Sequence, residues 1–157
     1  MAKFQMKELI GIEPFTARLG AASGSANYVT DVEIGKPVKL IGDSLFNLCA
    51  AGDQIEGFIT AVEGYTADDF SIGSVMNENR KRVILDGLQA TPGTGTVAVG
   101  DFVVAGTATA KGTALTAQCP KVCKATTQTG MYFAWRVVSL EGTGAVGQYA
   151  VIERVNA

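Results

Sequence analysis

Three times this sequence repeats a five-residue phrase: a small or aliphatic residue, a glycine, a charged residue, any residue, and an aliphatic one. The copies are Ile34-Gly35-Lys36-Pro37-Val38, Ala51-Gly52-Asp53-Gln54-Ile55 and Val99-Gly100-Asp101-Phe102-Val103. Glycine takes positive φ without steric cost, the charged residue keeps a turn in water, and the aliphatic residue suits the beginning of a half-buried strand. The phrase therefore predicts turns that lead directly into short strands, and a chain organised that way is all-β.

The intervening segments agree. Thr30, Val32 and Ile34 alternate with Asp31 and Glu33, which predicts a half-buried strand from Tyr28 onward. Pro37 to Ile41, Glu56 to Val62, Thr96 to Val99, Phe102 to Ala105, Met131 to Leu140 and Gln148 to Val155 read as further strands. Asp86-Gly87, between Arg82–Leu85 and Leu88–Ala90, has the composition of a two-residue hairpin loop. Gly106 to Thr116 is small and threonine-rich, an exposed loop or weak strand. Nowhere does a helical period of useful length appear. Strands spaced by roughly 8–12 residues with glycine turns predict a compact β-barrel or β-sandwich, tulip- or jelly-roll-like.

Residues 1–27 differ from this pattern. Met6 to Ile10 can make one helical turn before Gly11 and Pro14, and Gly20 to Ser25 has almost nothing to bury. Two readings stand side by side: an extended N-terminal arm whose order depends on a partner, or an edge strand plus a loop of the same domain. The division expected is an arm over 1–27 and a single β domain over 28–157.

A chain of 157 residues can bury a core without disulfides or a metal. It contains no histidine, which removes Ser-His-Asp and Cys-His nucleophile pairs and the commonest zinc ligand. The net charge of −2 lacks the basic field of a nucleic-acid binder, and no run of eighteen apolar residues suits a membrane span. The first ten residues carry Lys3, Lys7 and Glu8, so no secretory apolar stretch is present there, and three cysteines without a framework fit folding in a reducing cytosol.

The remaining motifs have plain readings. Gly142-x-Gly144-x-x-Gly147 matches a dinucleotide fingerprint in letters, but only ten residues follow it and they read as a strand, so it is a hairpin turn. Cys119 and Cys123, with Cys49, read as packed thiols and not as a zinc site. Asp68-Asp69 with Glu63, and Asp53 with Glu56, read as solvated turn residues, and Arg80-Lys81-Arg82 as solvated or as a rim contact. No cofactor, metal or enzymatic activity is expected. Phe102-Val103-Val104-Ala105 and Tyr149-Ala150-Val151-Ile152 are apolar on both faces, as central strands are, or strands covered by another subunit; with a charged fraction of only 18% they favour an oligomer.

Gly35-Lys36-Pro37-Val38-Lys39-Leu40, followed by Ala50-Ala51-Gly52-Asp53-Gln54-Ile55-Glu56-Gly57-Phe58, resembles the capsid decoration (cement) proteins of tailed phages. Val99 to Val103 and the glycine-rich C-terminal hairpin are similar to that family too. The resemblance covers about residues 30 to 155. It implies a non-enzymatic β domain, made in the host cytoplasm, that binds the outer surface of the phage head and bridges capsomers. Its partners would be the major capsid protein and further copies of itself, with a homotrimer ahead of a dimer. On that reading the arm supplies capsid or subunit contacts through Phe4, Met6, Leu9, Ile10, Phe15, Arg18 and Leu19. Two other classes remain open. One is a different virion structural domain, associated with a tail tube or fibre. The other is a carbohydrate-binding β-sandwich, which would need exposed aromatics on one face, whereas Trp135 falls in a run that reads as buried.

Overall fold

A computed structural model describes residues 15–20, 28–42, 44–63, 71–77, 80–127 and 133–156. The fold is all-β, as the glycine-turn pattern predicts. Five strands, β1 (Phe15–Leu19), β2 (Pro37–Gly42), β3 (Leu45–Leu48), β4 (Gly57–Glu63) and β5 (Ser71–Met76), close into a small barrel in the order β1-β3-β2-β4-β5. The second half contributes β6 (Arg80–Leu88), β7 (Thr91–Pro92), β8 (Phe102–Ala105), β9 (Lys121–Lys124), β10 (Phe133–Glu141) and β11 (Tyr149–Asn156). Here β11 pairs with both β10 and β6, β10 with β8, β8 with β9, and β9 with β6, so these pairings also run full circle.

Each ring has its own core. Ala17, Leu19, Val29, Val38, Phe46, Ile59 and Val75 fill the first. Val83, Leu85, Val97, Val103, Val122, Val137 and Ile152 fill the second, and Cys49, Ile55 and Phe58 from the first half pack into that same cluster with Trp135. Successive residues on β4 thus face opposite ways, Phe58 toward the second core and Ile59 into the first, as the period of a strand demands. Trp135 donates its indole N–H to the Ile55 carbonyl oxygen at 3.0 Å and meets Phe58 edge-on, with centroids 5.0 Å apart.

The glycine phrase is a physical repeat. In each copy the residue after glycine donates its N–H to the carbonyl three residues back: Lys36 to Glu33, Asp53 to Ala50, Asp101 to Ala98. The glycine sits at positive φ (89°, 85° and 93°), as the third position of such a turn requires. The turn then clamps one buried strand residue by two backbone bonds. Gly35 N–H donates to Ile59 O and Ile59 N–H returns to Lys36 O; Gly52 and Asp53 hold Ala105 in the same way, and Gly100 and Asp101 hold Val137. A fourth copy, Ala145-Val146-Gly147-Gln148, clamps Leu85 identically, with Gly147 at φ 83°. In the three copies where it carries a side-chain oxygen, the polar residue also closes the turn. Asp53 Oδ2 accepts the Ala50 N–H at 2.7 Å, Asp101 Oδ2 the Ala98 N–H at 2.8 Å, and Gln148 Oε1 the Ala145 N–H at 3.1 Å. Gly35 and Gly100 open directly into β2 and β8. Gly52 leads into the extended segment 53–56, which joins no ladder before β4.

Several expectations change. Asp31–Glu33 is a turn of 3-10 helix, not strand, and Val32 and Ile34 are 37% and 42% exposed while Glu33 is fully buried. The cause is local: Glu33 reaches back to accept from the Thr30 N–H (2.9 Å) and hydroxyl (2.7 Å), the Thr-x-x-Glu relation that begins a helical turn. Asp86-Gly87 is not a hairpin loop. β6 runs through it with a register shift against β9, Asp86 is buried, and the reversal comes at Gln89-Ala90, before β7. Thr96 makes an isolated bridge to Ala145 in place of a strand over 96–99. Of the segment assigned to an arm, Phe15–Leu19 is a barrel strand, antiparallel to β5 along its length and parallel to β3 at Arg18 and Leu19. The Gly142–Gly147 segment joins antiparallel β10 and β11, the hairpin turn its composition indicates.

Candidate functional site

Two features could engage another molecule: a cleft where the two halves meet, and the tip of the β2–β3 hairpin.

The cleft holds about 300 Å3 between the β2–β3 side of the first barrel and the segment 105–111 of the second half. Its polar lining comes from Lys36, Asn47, Thr107, Thr109, Lys111 and Lys121, set among alanines, Leu48, Leu115 and prolines. The long connection after β8 is fastened to the first half by an internal ion pair. Glu33 Oε1 accepts the Gly112 N–H at 2.6 Å, Lys36 Nζ donates to the Ala110 carbonyl oxygen at 3.0 Å, and Nζ and Oε1 lie 3.6 Å apart. Both side chains are enclosed, at 0% and 4% exposure. Burial alone would raise the Glu33 pKa. The Thr30 hydroxyl, the Gly112 and Thr30 N–H groups and the Lys36 charge outweigh it and hold the carboxyl below its ordinary value. Cys49 lines the cleft wall and offers little chemistry there, since burial pushes its thiol far above the usual range. Among the described residues no group of three His, Cys, Asp or Glu side chains is placed to hold a metal ion.

The hairpin tip is different in kind. β2 pairs with β4 only at Pro37 and Val38, and among the described residues its outer half pairs with β3 alone, so β2 has an open edge beyond Val38 while the β3 side of the tip is held by β1. Leu40 continues the inward side of Val38 and Ile41 occupies the extra position of a bulge, yet they are 52% and 50% exposed. Arg18 lies opposite Leu45 across the β1–β3 pairing and is exposed beside them.

The arginines on the outer face of the β10–β11–β6 sheet are tied into ion pairs. Arg136, Glu153 and Arg80 form a row across the three strands, with Arg–Glu distances of 3.0 and 3.3 Å. Arg82 pairs with Glu141 and stacks over Tyr149 at 3.8 Å, and Lys81 lies over Phe58 at 5.6 Å. Each member of the basic triplet is engaged locally.

Of the residues expected to make contacts, Phe4, Met6, Leu9 and Ile10 lie outside the described residues. Phe15 begins β1, Arg18 is at the surface beside the hairpin tip, and Leu19 is wholly buried in the first barrel, so its side chain packs the core. Sequence reasoning passed over Leu40 and Ile41, whose neighbours Val38 and Lys39 make an ordinary strand. The available signal was the two consecutive aliphatics immediately before Gly42-Asp43-Ser44, at the end of a strand too short to cover both. Likewise Thr30-x-x-Glu33 marked the buried carboxylate. No protein-family model, curated protein or solved structure matches this chain.

Proposed function

We propose that this chain is a capsid decoration protein of a tailed phage, a non-enzymatic β protein that binds the outside of the head and bridges capsomers, together with further copies of itself. The observation that carries the reading is the exposed aliphatic pair at the β2–β3 tip. The barrel presents Leu40 and Ile41, each about half exposed, on a hairpin whose β2 side, among the described residues, has an open edge beyond Val38. Such a tip can insert into a seam or add a strand to a neighbour. Contacts that are weak singly add up when repeated over a shell. Trp135, buried at 1% exposure and bonded to Ile55, gives no support to the carbohydrate-binding alternative.

Co-sedimentation with undecorated, expanded capsids tests the proposal. Binding at micromolar protein that saturates at a fixed copy number per capsomer is the expected result, and protein left in the supernatant would overturn it. A mass measurement in solution separates the preferred trimer from a dimer.

A further inference from the structure

We propose that the cleft between the two halves is a binding site for a carboxylate carried on a short aliphatic stem. The inference is independent of the capsid reading.

The argument begins with what lines the cleft. Every charged side chain lining it, among the described residues, is a lysine: Lys36, Lys111 and Lys121. This occurs in a chain whose net charge is negative, so the local excess of positive charge is a property of the site. Lys36 is the anchor. Its side chain is only 4% exposed, and an ammonium has three N–H donors. The Ala110 carbonyl takes one and the Glu33 carboxylate faces another, so Lys36 is fixed within the wall, and Glu33 offsets one of the three lysine charges. With that pair balanced, the positive surplus of the cleft comes from Lys111 and Lys121, and cationic donors on a partly enclosed wall favour a charged acceptor.

The other surfaces set the ligand's shape. Thr107, Thr109 and Asn47 offer hydroxyl and amide groups, while Leu48, Ala105, Ala108, Leu115 and the prolines supply apolar wall. A volume of about 300 Å3 lies at the small end of ligand pockets. It suits a carboxylate with a few methylenes and does not suit a nucleotide or an extended sugar. The same chemistry is offered by a free short-chain acid and by a glutamate side chain from a bound protein.

Titration of the full-length isotope-labelled protein, followed by amide chemical shifts at neutral pH, tests the site. The probes are hexanoate and the blocked tripeptide acetyl-Ala-Glu-Ala-amide, with hexanol and acetyl-Ala-Gln-Ala-amide as neutral counterparts. Shifts centred on Asn47, Thr107, Thr109 and Lys121 with either carboxylate, and much weaker ones with its neutral counterpart, are the expected result. Hexanoate alone identifies a free acid as the source, and the tripeptide a protein side chain. The double variant Lys111→Ala/Lys121→Ala should bind about tenfold more weakly. Added salt should weaken the wild type, which gives a second measure that does not depend on the variant's folding. Equal binding of the neutral counterparts, shifts located elsewhere, or no shift at millimolar probe would overturn the proposal.

Discussion

Trp135 and Ile55, eighty positions apart, are joined by a hydrogen bond of 3.0 Å from the indole N–H to the backbone carbonyl. Phe58 closes against the same ring, so residues of the first half complete the core of the second. Replacing Trp135 with phenylalanine removes the donor, leaves the Ile55 carbonyl buried, and opens a void. The expected cost is about 2–4 kcal/mol. Thermal or urea unfolding should show it as a single lowered transition; separate melting of two halves would contradict the shared core.

The clamps give a second expectation. Gly100 has φ 93° and open space where a Cβ would be, so Gly100→Ala costs backbone strain alone, about 1–2 kcal/mol. Asp101→Ala should cost a similar amount for another reason. It strands the Ala98 N–H and releases Lys124, which Asp101 holds at 2.9 Å. Asp101→Asn, which keeps an acceptor, should recover most of that loss. Chemical denaturation of the three variants separates these effects.

Glu33 predicts a pH dependence. Its pKa is held below the ordinary value near 4.5, so the stability it contributes is complete above that value and is lost as pH falls through the folded pKa. Glu141 and Glu153 are also lowered by their arginine partners, so the wild type alone mixes contributions. Glu33→Gln should abolish one component of the acid loss. At neutral pH it should cost about 3 kcal/mol, because Lys36 stays buried without its counter-charge. Thermal midpoints of both proteins from neutral pH to pH about 3 make the comparison; parallel curves would rule out a role for Glu33.

The thiols should be inert in the folded protein. All three cysteines are buried and free; burial and the neighbouring Asp86 raise Cys123 to about 11, and burial raises Cys49 further. Labelling by a thiol reagent at neutral pH should therefore be slow and follow the unfolding rate, with three equivalents reacting promptly in denaturant. Fast native reaction of any one would contradict the packing.

Leu40→Ser and Ile41→Ser test the hairpin tip. Both side chains are half exposed, so stability should change by about 0.5 kcal/mol or less. Capsid co-sedimentation should nevertheless fall about tenfold or more if the tip carries the contact. Unchanged binding by both would move the contact elsewhere.

The clamps were legible where the glycine was followed by a charge. The fourth lacks that charge: Gln148 performs the acceptor role of Asp53 and Asp101, and Lys36 forms the clamp with no acceptor at all, so the backbone turn and its glycine are the common requirement. The misreadings share a physical cause. Alternation over 30–34 predicts a strand, but Thr30 and Glu33 satisfy each other within one turn, and that local hydrogen bond outweighs the hydrophobic pattern. Asp86-Gly87 looked like a loop, but the Asp86 carboxylate accepts the Thr107 N–H at 2.7 Å inside the fold, a partner 21 residues away that no local pattern discloses. The cleft and the hairpin tip depend on how two rings meet and where one ends, which a linear pattern cannot convey.

Closure has a consequence for change over time. When five strands are paired in a circle, each strand's length and offset are fixed by both neighbours, and the offsets must sum consistently around the ring. A residue inserted into β4 or β11 cannot be absorbed by sliding one seam, because every other seam would have to slide with it. Substitutions can accumulate freely at exposed strand positions while lengths stay constant. Tolerated insertions should therefore concentrate in the connection after β8, where added residues perturb no strand pairing of either circle.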